Sequence, residues 1–302
     1  MQGKLKAAVE YLRQFPEKTE RCNQYLSVFE QEKYLTYEVD DYLNEILRFY
    51  QMYYRDIFWM ELEPENAVEK LKRRLLDFFD SQNRKKEQSN RELELDEIEK
   101  NEVVSAFVGR GYQFLGGRTG GYYGPYIWRI TEEKTYNVEL PEGVKEYTVK
   151  FLDGFISNSW IDYISFGEIS TGGWTDGDGI INCVKASYDV NDESFRVSLL
   201  KHEAQHAMDL ARDKCMSSEK LEYRAKLVEL IYSKERNLLK QFIYEAGSAD
   251  TSASENGHVL AARRIVDGFS KRLGKNRREL EELSVEEIQA AAEELFAERA
   301  VN

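Results

Sequence analysis

Histidine is scarce in this chain, with three in 302 residues. Cysteine is equally rare, and Cys22, Cys183 and Cys215 stand far apart. That excludes a disulfide framework and cysteine-type metal spacing, and it fits a reducing compartment. No apolar stretch reaches the length of a membrane span. The opening "MQGKLKAAVEYLRQFPEK" lacks the apolar core flanked by small residues that marks a signal peptide. A cytoplasmic location is therefore expected. Positive charge is in deficit, with 42 basic against 55 acidic residues and a net charge of −13. Such a field repels phosphate backbones, so neither nucleic acid nor membrane is expected as a partner.

What is present is an ordinary apolar share and a high aromatic content. Hydrophobic residues make up 42% and aromatics 13%, which places the chain among globular rather than disordered sequences. Its length suits one sizeable core, or a catalytic domain with a helical extension. Up to residue 84 the apolar residues recur at helical spacing, as in "YLNEILRFYQMYY" and "VEKLKRRLLDFFD". Residues 84–97, "RKKEQSNRELELDE", form a polar charge run that reads as a solvated linker or helix face.

The texture changes at Gly111. "GYQFLGGRTGGYYGPYIW" is rich in glycine and aromatics, as tight turns between strands require. "TYNVEL", "EYTVKF" and "WIDYISF" read as strands, the first two joined by "PEG" as a hairpin. A second glycine cluster, "STGGWTDGDG", leads into a further strand, "IINCVKASY". Neither cluster fits a phosphate-binding loop, so both are read as turns in the sheet that could also wall a cleft. From Asp192 onward the pattern is helical, and Ser284 with Glu287 forms a capping box before the last helix. The expected fold is α+β. Residues 1–97 would be a helical region with a charged linker, and residues 98–302 a second domain. Within the latter, a sheet-rich part covers 111–190, a long helix about 193–213, and the C-terminal helices 217–302.

Two of the three histidines stand together in "LLKHEAQHAMDL". On a helix His202 and His206 lie one turn apart on the same face, so both imidazoles can aim at one point. Glu203, beside the first, can reach a water there without ligating the metal itself. This is the H-E-x-x-H arrangement of zinc metalloproteases. With histidine so scarce, a chance match is on the order of a few in a thousand. The alternative is a pair of histidines hydrogen-bonded to carboxylates on a helix face.

A catalytic zinc needs a third protein ligand and an open position. Asp209 and Arg212 occupy the places where the metzincin pattern demands glycine and histidine, which excludes that class. Glu222 is the leading candidate. It lies sixteen residues past His206, about one turn into a helix capped by Ser217 or Ser218, and a turn around "RDKCMSS" would fold that helix back over the histidines. Glu219, Glu229 and His258 remain alternatives, and a surface Glu222–Lys226 pair is the plain reading of Glu222. Asp209 is expected to orient a histidine N–H from outside the ligand shell.

"HEAQH" followed on the next helix by "EYRAKLVEL" resembles the gluzincin class of zincin metallopeptidases. The resemblance is firm over residues 202–222 and looser over 111–260. It implies a zincin-like catalytic domain with a zinc cofactor bound by His202, His206 and Glu222, and Glu203 as general base for peptide-bond hydrolysis. It also implies a mixed sheet whose edge strand, "GIINCVKASY", pairs with an extended peptide or protein substrate. Gluzincins often place a downstream histidine, oriented by an acidic residue, to stabilise the tetrahedral intermediate. His258 with Glu255 fits that catalytic role, though His258 could also ligate the metal or cap a helix. The Asn before the glutamate and the Ser-Asp after it, found in thermolysin-like members, are absent here. "GSAD" at 247–250 resembles the aspzincin motif only faintly. Cys183 lacks the Gly-Cys-Leu setting of deformylases. The rival to an enzyme is a binding or assembly module stabilised by zinc, for which the terminal helices offer surfaces for homo-oligomers.

Overall fold

The computed structural model describes residues 4–82, 93–175, 179–247 and 256–298. The chain is α+β, and it divides into two compact units. The first comprises Met1–Ile130 and Gly154–Thr171, and the second Thr131–Asp153 and Gly172–Asn302. None of the three boundaries, after Ile130, Asp153 and Thr171, falls at residue 97, and the sheet-rich segment contributes to both units. Most of the charge run of 84–97 lies outside the described residues.

The first unit is built on the helices Asp41–Phe58 and Pro64–Gln82. Asp40 caps the former by accepting from the Leu43 N–H at 2.8 Å. Leu43, Ile46, Leu47, Tyr50, Tyr54 and Ile57 form its buried stripe, and Ala67, Leu71, Leu75 and Phe79 recur every fourth residue along the second. A small antiparallel sheet joins Gln113–Leu115, Tyr126–Trp128 and Ser157–Asn158. The expected strand "WIDYISF" is instead the helix Ser159–Ser165. Its aromatic and β-branched content suggests a strand, but Trp160, Tyr163 and Ile164 fall at helical spacing and all three are buried.

The second unit packs helices against a four-stranded mixed sheet. The strand order is Ile130–Leu140, Gly143–Asp153, Ile180–Val184, Gly173–Thr175. The expected hairpin around Pro141–Glu142 is present. Gly143–Asp153 pairs in parallel with Ile180–Val184, which pairs antiparallel with Gly173–Thr175. Ile180–Val184 is therefore an inner strand and not the expected edge. Ile181 and Cys183 are fully buried, and an alternating strand looks the same in sequence whether it has one neighbour or two. Val138, Leu140, Tyr147, Val149, Phe151, Ile181 and Cys183 alternate onto one face and meet Phe195, Leu199, Ala204 and Ala207 in a shared core.

Ser194–Lys201 is wound as a π-helix and runs directly into the α-helix His202–Arg212. The chain then turns and enters Ser218–Tyr232, with Ser217 as its cap. This helix is the organiser of the unit. His202–Arg212, Gly257–Leu273 and Val285–Ala297 all pack on it, and Glu222 through Ile231 are buried without a break. A helix enclosed on all sides must pair every charge it carries. Arg224 holds Asp209, Lys226 holds Glu245 at 2.9 Å, and Glu222 and Glu229 face histidines. The Ser284–Glu287 capping box forms as expected. Among the described residues no helix is long and apolar enough to cross a membrane.

Candidate metal centre

Successive helices bring His202, His206 and Glu222 to one buried point. His206 Nε2 lies 3.3 Å from Glu222 Oε1, and His202 Nε2 lies 3.5 Å from Glu222 Oε2. The two imidazole rings are 4.5 Å apart and nearly perpendicular. One donor atom from each of the three residues lies within 4.8 Å of the others. Two donors roughly 2.0–2.1 Å from a tetrahedral ion stand about 3.4 Å apart, so the spacing suits a shared cation. The donors are close without forming aligned hydrogen bonds to one another, and Glu222 Oε2 has no such partner at all despite its burial. This buried group could hold a metal ion.

Electrostatics favour a cation at the same point. Burial would depress the pKa of His202, but Glu229, Glu222 and Glu203 outweigh it and raise that pKa to about 10. Burial would likewise raise the pKa of Glu222. The imidazoles of His202, His206 and His258 win, holding its carboxyl far below the usual carboxylate range. A pocket in which glutamates favour positive charge and histidines favour the carboxylate anion is stabilised by protons or by a metal.

The partners outside this group differ from expectation at one residue. Asp209 does not orient a histidine: both its oxygens accept from Arg224 Nε, at 2.9 and 2.8 Å. Arg224 also reaches Glu142 at 2.8 Å, and Glu142 pairs with Arg212 as well. The cluster ties the hairpin turn to both site helices. Glu229 takes the role expected of Asp209, its Oε1 lying 2.6 Å from His202 Nδ1. An ionised carboxylate only accepts, so a proton sits on Nδ1, and Nε2 is the nitrogen that faces Glu222 and would exchange its proton for a cation. The signal was present in the sequence, because Glu229 follows Glu222 by seven residues and so shares its helix face. Glu219 pairs instead with Arg264 at 2.9 Å.

Glu203 is half-buried in the first turn of its helix, and no described residue hydrogen-bonds or ion-pairs with it. Its charge bears on both His202 and the Tyr188 phenol. His258 stands at the rim with its side chain 54% exposed and Nδ1 at 2.9 Å from Glu222 Oε2. Asn256 caps its helix by accepting from the His258 N–H at 3.0 Å. A side chain at Gly257 would collide with Ser218 Oγ, so this glycine lets the two helix starts close until His258 reaches Glu222. Glu255, expected as the acidic partner of His258, lies outside the described residues.

Glycine at 172 and 173 has a comparable basis. A Cβ at Gly172 would strike Tyr188 Oη, and one at Gly173 would strike Leu199, which leads into the histidine helix. Tyr147 Oη donates to the Ala204 carbonyl at 2.9 Å, which also fixes that helix to the sheet. No protein-family model, curated protein or solved structure matches this chain.

Proposed function

We propose that this protein is a zinc-dependent peptidase of the gluzincin type. The observation that carries the reading is the convergence of His202, His206 and Glu222, with Glu203 next to His202 in the chain and its charge bearing on that imidazole. Two imidazoles and one carboxylate suit zinc, and three protein ligands leave a position for substrate or water. A zinc ion there would polarise a scissile carbonyl and acidify a water. Glu203 takes the proton from the attacking water and returns it to the leaving amine. Glu229 keeps His202 in the tautomer whose Nε2 points inward. His258, at the rim, donates to charge developing on the substrate. The rival reading, a zinc-stabilised binding module, calls for a closed shell of four protein ligands. The described residues supply three.

Elemental analysis of protein purified without chelators is expected to find about one zinc per chain. Glu203→Gln should keep that zinc and lose about 10²–10⁴-fold in cleavage of a quenched-fluorescent peptide library. No stoichiometric transition metal in the wild-type protein would sink the reading.

A further inference from the structure

A groove of about 620 Å³ opens where the Gly143–Asp153 and Ile180–Val184 strands end. Tyr136, Phe151 and Tyr188 line it, and behind them stands Phe195. Their rings lie 5.7, 5.8 and 6.4 Å from that of Phe195, forming one aromatic wall. The charges at the rim are already engaged. Lys185 pairs with Glu132 at 3.2 Å and Asp153 at 3.3 Å, and the Lys134 ammonium covers the Tyr136 ring at 5.2 Å. Asp189 accepts from the main chain and side chain of Asn191. With Lys185 and Glu132 paired, Glu133 held by Lys150 at 3.8 Å and its wall aromatic, the groove favours an apolar occupant over an ionic one.

Two features link this groove to the candidate metal centre. Phe195 belongs to the continuous helix that carries His202, seven residues further on. Tyr188 lines the groove with its ring while its hydroxyl rests on Gly172, immediately before the strand that packs against the histidine helix. Burial raises the pKa of that hydroxyl to about 12, with Cys183, Glu203 and Glu229 adding to it in smaller measure. Seven residues of helix advance roughly 10 Å at the α-helical rise, and less where the helix is π-wound. An extended peptide covers that distance in about three residues.

We propose that this groove is the specificity subsite of the peptidase. It receives one large apolar side chain, best an aromatic one, two or three residues from the scissile bond of an extended peptide. The proposal rests on the peptidase reading above. The volume is on the scale of small-ligand clefts, which run roughly 300–1,000 Å³. It accommodates a phenyl or indole group together with adjoining main chain.

Binding is tested apart from catalysis, by ligand-observed NMR on the full chain with N-acetyl-phenylalanine amide and N-acetyl-glutamine amide. The phenylalanine derivative is expected to bind saturably and at least about tenfold more tightly than the glutamine one. Val190→Trp, at an exposed rim position, fills the groove and should abolish that preference. Tyr136→Gln, at a half-buried position, should weaken binding of the phenylalanine derivative and serves if the first variant does not fold. Equal binding of the two derivatives, or phenylalanine binding undiminished in a folded variant, overturns the groove assignment. In a peptide library, cleavage should be enriched for Phe, Tyr, Trp, Leu and Met two or three positions from the bond. Val190→Trp should shift that preference to small residues, lowering kcat/KM for aromatic peptides about 10–100-fold. Cleavage with no such preference overturns the subsite while sparing the peptidase reading. No cleavage of any peptide, with aromatic binding intact, overturns the peptidase reading and with it the groove's role as a subsite.

Discussion

Each unit buries a glutamate among hydrogen-bonding side chains, and the two fates are opposite. In the first unit Glu99, 3% exposed, accepts from Tyr50 Oη at 2.5 Å and from the Gly117 N–H at 2.7 Å. Burial dominates there and raises its pKa to about 7. In the second unit Glu222 faces three imidazoles and is held ionised. Hydroxyl and amide donors give Glu99 two directed bonds, so it serves as a tie within the core. Glu222 has close nitrogen neighbours without directed bonds, so its oxygens remain available to a cation. Burial alone says nothing about function; what separates these two carboxylates is whether their neighbours are fixed hydroxyl and amide donors or imidazoles, which can give up a proton and turn the lone pair to a cation.

The strongest way to break this comparison is Glu222→Gln. It keeps the shape and removes the charge, and zinc affinity measured by competition with a chelator should fall by more than about 100-fold, beyond the usual effect of an outer partner. Glu229→Gln should cost about 10–100-fold in the same assay, because the amide can present either an oxygen or an N–H to His202 Nδ1. Equal affinity in the Glu229→Gln variant and wild type would remove Glu229 from the site.

Glu99 sharpens the contrast through pH. Its folded pKa lies above its unfolded value of 4.5, so the folded state retains a proton that the unfolded state releases as pH rises. Its stabilising contribution is thus full below about pH 4.5 and is lost as pH climbs through about 7. Relative to Glu99→Gln, the wild type should lose up to about 3 kcal/mol between pH 4.5 and pH 8 in urea denaturation. A constant difference across that range would contradict the assignment. The smallest effect is expected at Glu219, whose partner Arg264 leaves it half-exposed. Glu219→Gln should change stability by less than about 1 kcal/mol and leave zinc affinity unchanged. A loss of zinc would return Glu219 to the ligand set.

Local periodicity made most of the second unit's helices readable. The helical run ending in "HEAQHAMDLAR", its successor capped by Ser217 and the Ser284 capping box all follow from spacing within a few residues. "WIDYISF" misled because its composition suits a strand while its burial follows a helix. The place of "IINCV" inside the sheet depends on which strands flank it, and those come from elsewhere in the chain.

The sequence by itself determined which side chains share a helix face: His202 with His206, and Glu222 with Glu229. Helix geometry imposes that pairing wherever the helix goes. Only the tertiary structure decided how those faces meet. It gave Glu229 to His202 and Asp209 to Arg224, and it brought His258 to Glu222 through a contact that glycine permits at position 257. These outcomes depend on helix packing distance and rotation, which are set by shape complementarity among residues far apart in the chain.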